Sequence, residues 1–247
     1  GDNAQKYSEL LQLTFASQNI ETEILFSKHI VGNENSTVSH LIKELDNSDW
    51  VKSGLQYLPH EPKQESETCP FCQEKTISNT LVENIKNYFD ASYEADINSL
   101  KSFLKKYIEA IQSIPNQTIF EKNPKYKTHK KDFELKYSAF IKVVENNKKL
   151  IEDKIKTPSV SITLTHSAVS LQELNTIIQK INTLVSEHNT NIDQKETVKS
   201  NIKNAFWEIM RWDYDQTIKT FNSDKTASKS KTDILDSSIK DLSTKIE

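Results

Sequence analysis

Glycine is nearly missing from this chain. Gly1, Gly32 and Gly54 are the only three in 247 residues, against roughly 7% in an average protein. No phosphate-cradling loop can therefore be written, and neither G-x-x-x-x-G-K-S/T nor G-x-G-x-x-G occurs. The composition argues against a dinucleotide-binding fold, a P-loop within these residues and a turn-rich β-sandwich. Arginine occurs once, as Arg211, which removes the bidentate contacts of specific DNA readout. Proline occurs six times and cysteine twice. No run of eighteen apolar residues is present, so no membrane span is expected. No charged-then-apolar leader stands at the start, and the expected location is cytoplasmic. The formal charge is −3 and the pI about 6.1, giving no global pull toward nucleic acid or an acidic membrane.

What remains is polar helix. Apolar residues make up 35%, charged residues 27%, and mean hydropathy is −0.65. An apolar repeat of seven residues appears in four places. The first runs Tyr93, Ile97, Leu100, Leu104, Tyr107, Ile111, Ile114. The second runs Phe133, Tyr137, Phe140, Val144, polar Asn147, Ile151, Ile155. The third runs Leu171, Leu174, Ile178, Ile181, Val185, His188, Ile192, and the fourth Leu235, Ile239, Leu242, Ile246. Steps alternating between three and four keep one narrow stripe on each helix, the seam of a coiled coil.

The breaks are equally legible. SIPNQTIFEKNPKYK carries Pro115 and Pro124, and KTPSVSITLT carries Pro158 with a β-branched run; a helix does not run straight through such prolines. DKTASKSK, from Asp224 to Lys231, has no apolar anchor and reads as a solvated helical turn or a loop. Helices are predicted over about 79–114, 129–156, 168–222 and 230–247, the third on the order of 80 Å long. Short connectors fold the second back on the first. Upstream, NSTVSHLIKELDNSDWVKSGLQYL reads as two short helices, capped by Thr37 or Ser36 and by Ser48. The fold class is all-α, with long antiparallel helical hairpins, a small helical N-terminal part and a CxxC loop.

That loop, ETCPFCQEKT, holds Cys69 and Cys72. Three chemistries compete. Two thiolates two residues apart wrap one face of a tetrahedral zinc ion, and a second copy of the chain supplies the missing two. His60 is the nearest in-chain histidine, without recognisable ligand spacing. Alternatively, Cys-Pro-Phe-Cys looks like a glutaredoxin-type dithiol, whose first thiolate sits at a helix start in a βαβ context that this sequence lacks. Thirdly, both thiols are reduced and unligated, although free cysteines are usually buried and this loop is polar. Zinc is taken first, inert thiols second and redox third.

LIKELDNSDWVKSGLQYL, CPFCQE, NYFDASYEADI and INTLVSEHNTNIDQKE together resemble the coiled-coil insert of a bacterial AAA/ABC-type, SMC-like ATPase family that includes the RloC and PrrC anticodon nucleases. Its pattern falls here on a Trp50-Val51 turn with Gly54, on Cys69 to Cys72, on a helix start at Phe89-Asp90 with Tyr93, and on His188-Asn189. The resemblance covers most of 36–215. It implies an ATPase head assembled around a long coiled-coil excursion, with ATP, Mg²⁺, Walker motifs and any nuclease residues outside this chain. The two-cysteine element resembles a zinc hook, in which Cys69 and Cys72 are one protomer's ligands to a zinc shared between two chains. The coil downstream of the cysteines is much longer than anything upstream, unlike the symmetric hook.

The implied organisation is a small helical region (1–68), a CPFC zinc-hook-like loop (69–77), an antiparallel helical hairpin (78–157), a linker (158–167) and long coiled-coil helices (168–247). The chain opens Gly1-Asp2-Asn3 without methionine and closes inside a helical pattern, so a segment excised from a longer polypeptide is expected. The implied function is homodimerisation, through the coiled coil and the CxxC loop, and signalling to the protein's own ATPase head. Nucleic acid is reached only through the parent protein. No catalytic residue is assigned. The alternative is a free-standing helical adaptor with unligated thiols. His188 is taken as a polar seam residue, and Tyr88, Phe89 and Tyr93 as core anchors. Phe206, Trp207, Met210, Trp212 and Tyr214 are expected to pack on Trp50 and the N-terminal helices, or on missing parts of the parent.

Overall fold

The computed structural model describes residues 5–58 and 66–246. The Gly1-Asp2-Asn3 opening, His60 with its proline-marked loop through residue 65, and the Ile246 side chain lie outside the described residues. Helices dominate: α1 Ser39–Glu44, α2 Ser48–Gly54, α3 Asn79–Tyr88, α4 Ala91–Gln112, α5 Thr118–Glu121, α6 Lys130–Lys156, α7 Ala168–Asp213 and α8 Asp215–Ile246. The strands among the described residues are β1 Ser66–Glu67 and β2 Ile77–Ser78, paired antiparallel with Ser66 opposite Ser78. The fold is all-α. The chain divides into two compact units, Tyr7–Ser186 and Gly1–Lys6 with Glu187–Glu247.

In the first unit the seams drive packing. Leu100, Tyr107, Phe133, Phe140, Val144, Ile151, Leu174, Ile178, Ile181 and Val185 are fully buried. Helices α4 and α6 pack antiparallel: Tyr137 donates to the Pro115 carbonyl at 3.0 Å, while Tyr107 meets Asn147 farther along. Phe15, from the extended N-terminal segment, lies edge-on to Tyr107 and Phe140. The expected single helix over 79–114 is in fact α3 and α4. Its break lies at Phe89 and Asp90, where the Asp90 carboxylate accepts from the N–H groups of Ser92 and Tyr93 and starts α4. Neither Ser36, Thr37 nor Ser48 caps a helix. The N-cap positions are Val38 and Asn47, without side-chain capping bonds.

Two buried polar clusters tie the elements together. Glu21 accepts from the Tyr107 hydroxyl at 2.7 Å, the Asn147 amide at 3.3 Å and the Ser167 N–H at 2.7 Å. Lys154, at the end of α6, donates to the carbonyls of Lys28, Pro158 and Val160 at 2.5–2.7 Å. Gly32 is a close-approach position: a Cβ there would meet the Tyr88 ring and carbonyl at 2.4 Å. Gly54, expected to form a turn, is helical, and a Cβ there would meet nothing.

In the second unit, α7 and α8 are separated only by Tyr214, and bonds from Tyr214 to Met210 and from Ile218 to Tyr214 carry the helical pattern past it. The break expected near 223–229 is absent, and DKTASKSK lies inside α8. Thr226 and Thr232 bond back to the carbonyls of Asn222 and Ser228, so these side chains are satisfied without leaving the helix. Every described side chain from Arg211 to Lys245 is exposed.

Candidate functional site

The two cysteines lie in the turn between β1 and β2. The Cys69 N–H donates to the Glu74 carbonyl at 2.8 Å, and the Cys69 carbonyl accepts from the Gln73 N–H at 2.9 Å. Gln73 takes a left-handed φ of 63° to close the loop. The backbone N–H groups of Cys72 and then Phe71 point at the Cys69 sulfur. They hold its thiol below the usual range, helped by the Cys72 and Thr76 side chains and opposed by partial burial. A thiol held by two backbone donors is prepared to be a thiolate, the form that ligates metal. Cys69 is half-exposed and Cys72 exposed.

Two thiols two residues apart in one turn are the donor type and spacing that one half of a tetrahedral thiolate site would use. No group of three or more His, Cys, Asp or Glu is placed to hold a metal ion among the described residues, so the pair offers two ligands and leaves two positions open. It does not fit the glutaredoxin arrangement. The turn leads into β2, and α3 begins only at Asn79, so neither thiol stands at a helix start. The Phe71 ring lies 5.6 Å from the Trp50 ring of α2, and both rings remain more than half exposed. The aromatic residues Phe206, Trp207, Trp212 and Tyr214, expected to pack on the N-terminal helices or on missing parts of the parent, are exposed among the described residues, Trp212 at 80%.

The other motif residues act as joints. Phe89 and Tyr93 are buried and meet at 4.8 Å. The Lys52 ammonium sits 4.8 and 4.9 Å from their ring centres and bonds Glu94 at 2.5 Å, joining α2 to α4. His188 places Nε2 3.1 Å from the Gln5 carbonyl oxygen, and Lys6 pairs with Asp193 at 2.6 Å.

Sequence reasoning missed a clamp built from asparagines. An extended segment lying on helices has backbone donors and acceptors without a strand partner, and these must be satisfied. Asn182 accepts from the Leu10 N–H and donates to the Leu10 carbonyl, both at 2.8 Å. Asn175 does the same to Leu13 at 2.8 and 2.9 Å, and Asn147 to Thr165 at 2.9 and 2.7 Å. A carboxamide carries the same donor and acceptor as a peptide group, so each asparagine substitutes for a neighbouring strand. The spacing matches. Seven helical residues rise about 10.5 Å, and three extended residues span about 10 Å. The signal was the heptad repeat of Asn175 and Asn182 beside the third seam.

No helix among the described residues is long and apolar enough to cross a membrane. Neither a curated protein nor a solved structure matches this chain. A family model described as an AAA domain, AAA_13, matches residues 2–247. The match spans nearly all of the sequence, and the chain belongs to this AAA domain family, which relates it to the AAA-type ATPases.

Proposed function

We propose that this chain is a dimerisation and signalling insert of an SMC-like ATPase of the RloC and PrrC type, without an active centre of its own. The observation that carries the reading is the strand clamp. In the Tyr7–Ser186 unit, residues 10 to 13 run antiparallel to α7 and are bonded to it through their backbone. In the other unit, Gln5 and Lys6 pair with His188 and Asp193. Two stretches of chain held side by side, within each unit separately, are what an excursion from a separate head requires. The head supplies ATP and Mg²⁺ chemistry and any contact with nucleic acid. Nucleotide-driven movement there alters the angle or register of the coils.

Cys69 and Cys72 supply one half of a zinc site, and a second copy supplies the other. The exposed Trp50 and Phe71 beside the turn favour a meeting of two copies there. Zinc bound in this way contributes a tether; peptide-sized structural sites are worth about 10–16 kcal/mol at pH 7. Metal analysis of zinc-replete protein tests this. The expected result is one zinc per two chains, lost in Cys69→Ser. Zinc-replete protein that binds no metal, or one ion per chain, overturns the tether.

A further inference from the structure

We propose that α8 pairs with α8 of a second copy as a parallel, in-register, two-stranded coiled coil. The inference rests on the two-copy reading above and names a surface for it far along the sequence from the cysteines. Tyr214, Ile218, Phe221, Leu235, Ile239 and Leu242 are 45–64% exposed. They share one alternating four-and-three register, continued between Phe221 and Leu235 by Lys225, Ser228 and Thr232. Nothing covers them within the described residues, where α8 has no buried side chain. In heptad terms Ile218, Lys225, Thr232 and Ile239 occupy a, and Phe221, Ser228, Leu235 and Leu242 occupy d. Isoleucine at a with leucine at d favours two parallel strands, and a lysine at one a position fixes register and partner number.

The flanking charges and the seam layers together choose the orientation. In a parallel pair each g position lies beside the following e position of the other helix. Asp224 at g then meets the partner's Lys229, and Lys231 at g meets the partner's Asp236. By symmetry each contact occurs twice. The remaining flanks, Thr217 with the partner's Asn222 and Ser238 with the partner's Ser243, are neutral. The antiparallel register centred on residue 230 instead sets Lys231 against the partner's Lys231 and Lys229 against the partner's Lys229. The antiparallel register that sets Lys229 against the partner's Asp236 matches charge but places Lys225 and Ser228 of the seam against the partner's Leu242 and Ile239, where the parallel pair sets apolar layers on apolar layers. Asp215 already pairs with Lys219 within its own helix. Asp224, Lys229, Lys231 and Asp236 have no ion pair within the chain among the described residues. The four unspent charges cluster around the polar layers, where apolar packing is weakest and partner choice most needs another source.

The test uses the full chain carrying Cys69→Ser and Cys72→Ser, in chelator, so that zinc plays no part. Sedimentation equilibrium is expected to show a dimer. Lys229→Glu is expected to weaken it about fivefold, and adding Asp224→Lys to restore it. In the same background, Ser228→Cys is expected to oxidise to a covalent dimer. A monomer throughout overturns the proposal. So does a dimer whose Ser228→Cys variant fails to cross-link, the result for an antiparallel pair, or a charge swap that does not rescue. These failures leave the zinc tether standing, just as a metal-free protein that still dimerises sinks the tether and leaves α8.

Discussion

A lysine without exposed surface ordinarily faces a carboxylate, but Lys154 faces three carbonyl oxygens. Burial pushes its ammonium below the usual lysine range, and the negative charge of Asp49 opposes this only in part. The consequence for stability has a definite sign. An unfolded lysine keeps its proton to about pH 10.4, whereas the folded one releases it earlier. Between those two values the unfolded chain binds more protons, so stability rises with pH across that window. Below the window the buried ammonium is carried at its full desolvation cost. Lys154→Met keeps the stem but leaves three carbonyls short of a donor, a loss of roughly 2–4 kcal/mol at neutral pH. Urea unfolding of both proteins should show the advantage of the native residue growing as pH rises toward about 10.4. The hydroxyls of Tyr93 and Tyr107, which burial pushes above the usual range, are common to both proteins and drop out of the difference.

Between elements, the asparagine clamps make a separate prediction. Asn175→Ala or Asn182→Ala removes two hydrogen bonds and strands a backbone N–H and C=O on the N-terminal segment. Each should cost that segment about 1–2 kcal/mol. Native-state hydrogen exchange is the measurement: the Leu13 or Leu10 amide is expected to exchange about tenfold faster, with both protected sites lost in the double variant. Unchanged protection would mean that Phe15 and its apolar neighbours hold the segment unaided. These clamps also mark where sequence reading stopped. The seams of α4, α6 and α7 were legible because burial on a helix imposes a period, and α6 falls at 130–156 against an expected 129–156. The break at Phe89 was invisible to periodicity, because it comes from one capping carboxylate inside an unbroken apolar pattern, and only the helix start in the family resemblance marked it. The gap predicted between 222 and 230 is absent because lack of an apolar anchor predicts exposure, not loss of helix, and of the two readings of DKTASKSK the helical one holds. Cys69 and Cys72 announced themselves by spacing. Glu21, Asn147 and Lys154 did not, since partners up to 146 residues away leave no local pattern.

The two units of the molecule differ in what holds them. Residues 7–186 contain the buried seams, the Glu21 and Lys154 clusters and the clamps on Leu10 and Leu13. Among the described residues 187–245, no side chain is buried. A helix without tertiary cover is marginal in water, particularly one rich in serine, threonine and aspartate. In the proposed α8 pair its stability comes from association, which carries a concentration dependence that a self-contained core does not. Far-UV circular dichroism should accordingly resolve two losses of helix on heating. One belongs to α8 and the exposed end of α7, and its midpoint should rise as protein concentration rises. The other belongs to residues 7–186 and should stay fixed. The Lys229→Glu substitution should lower the first and leave the second unmoved, because Lys229 is exposed and lies outside the unit that holds the buried core. A single transition, insensitive to concentration and to that substitution, would mean that the exposed helix draws its order from the helical body, and that its apolar register needs no second copy.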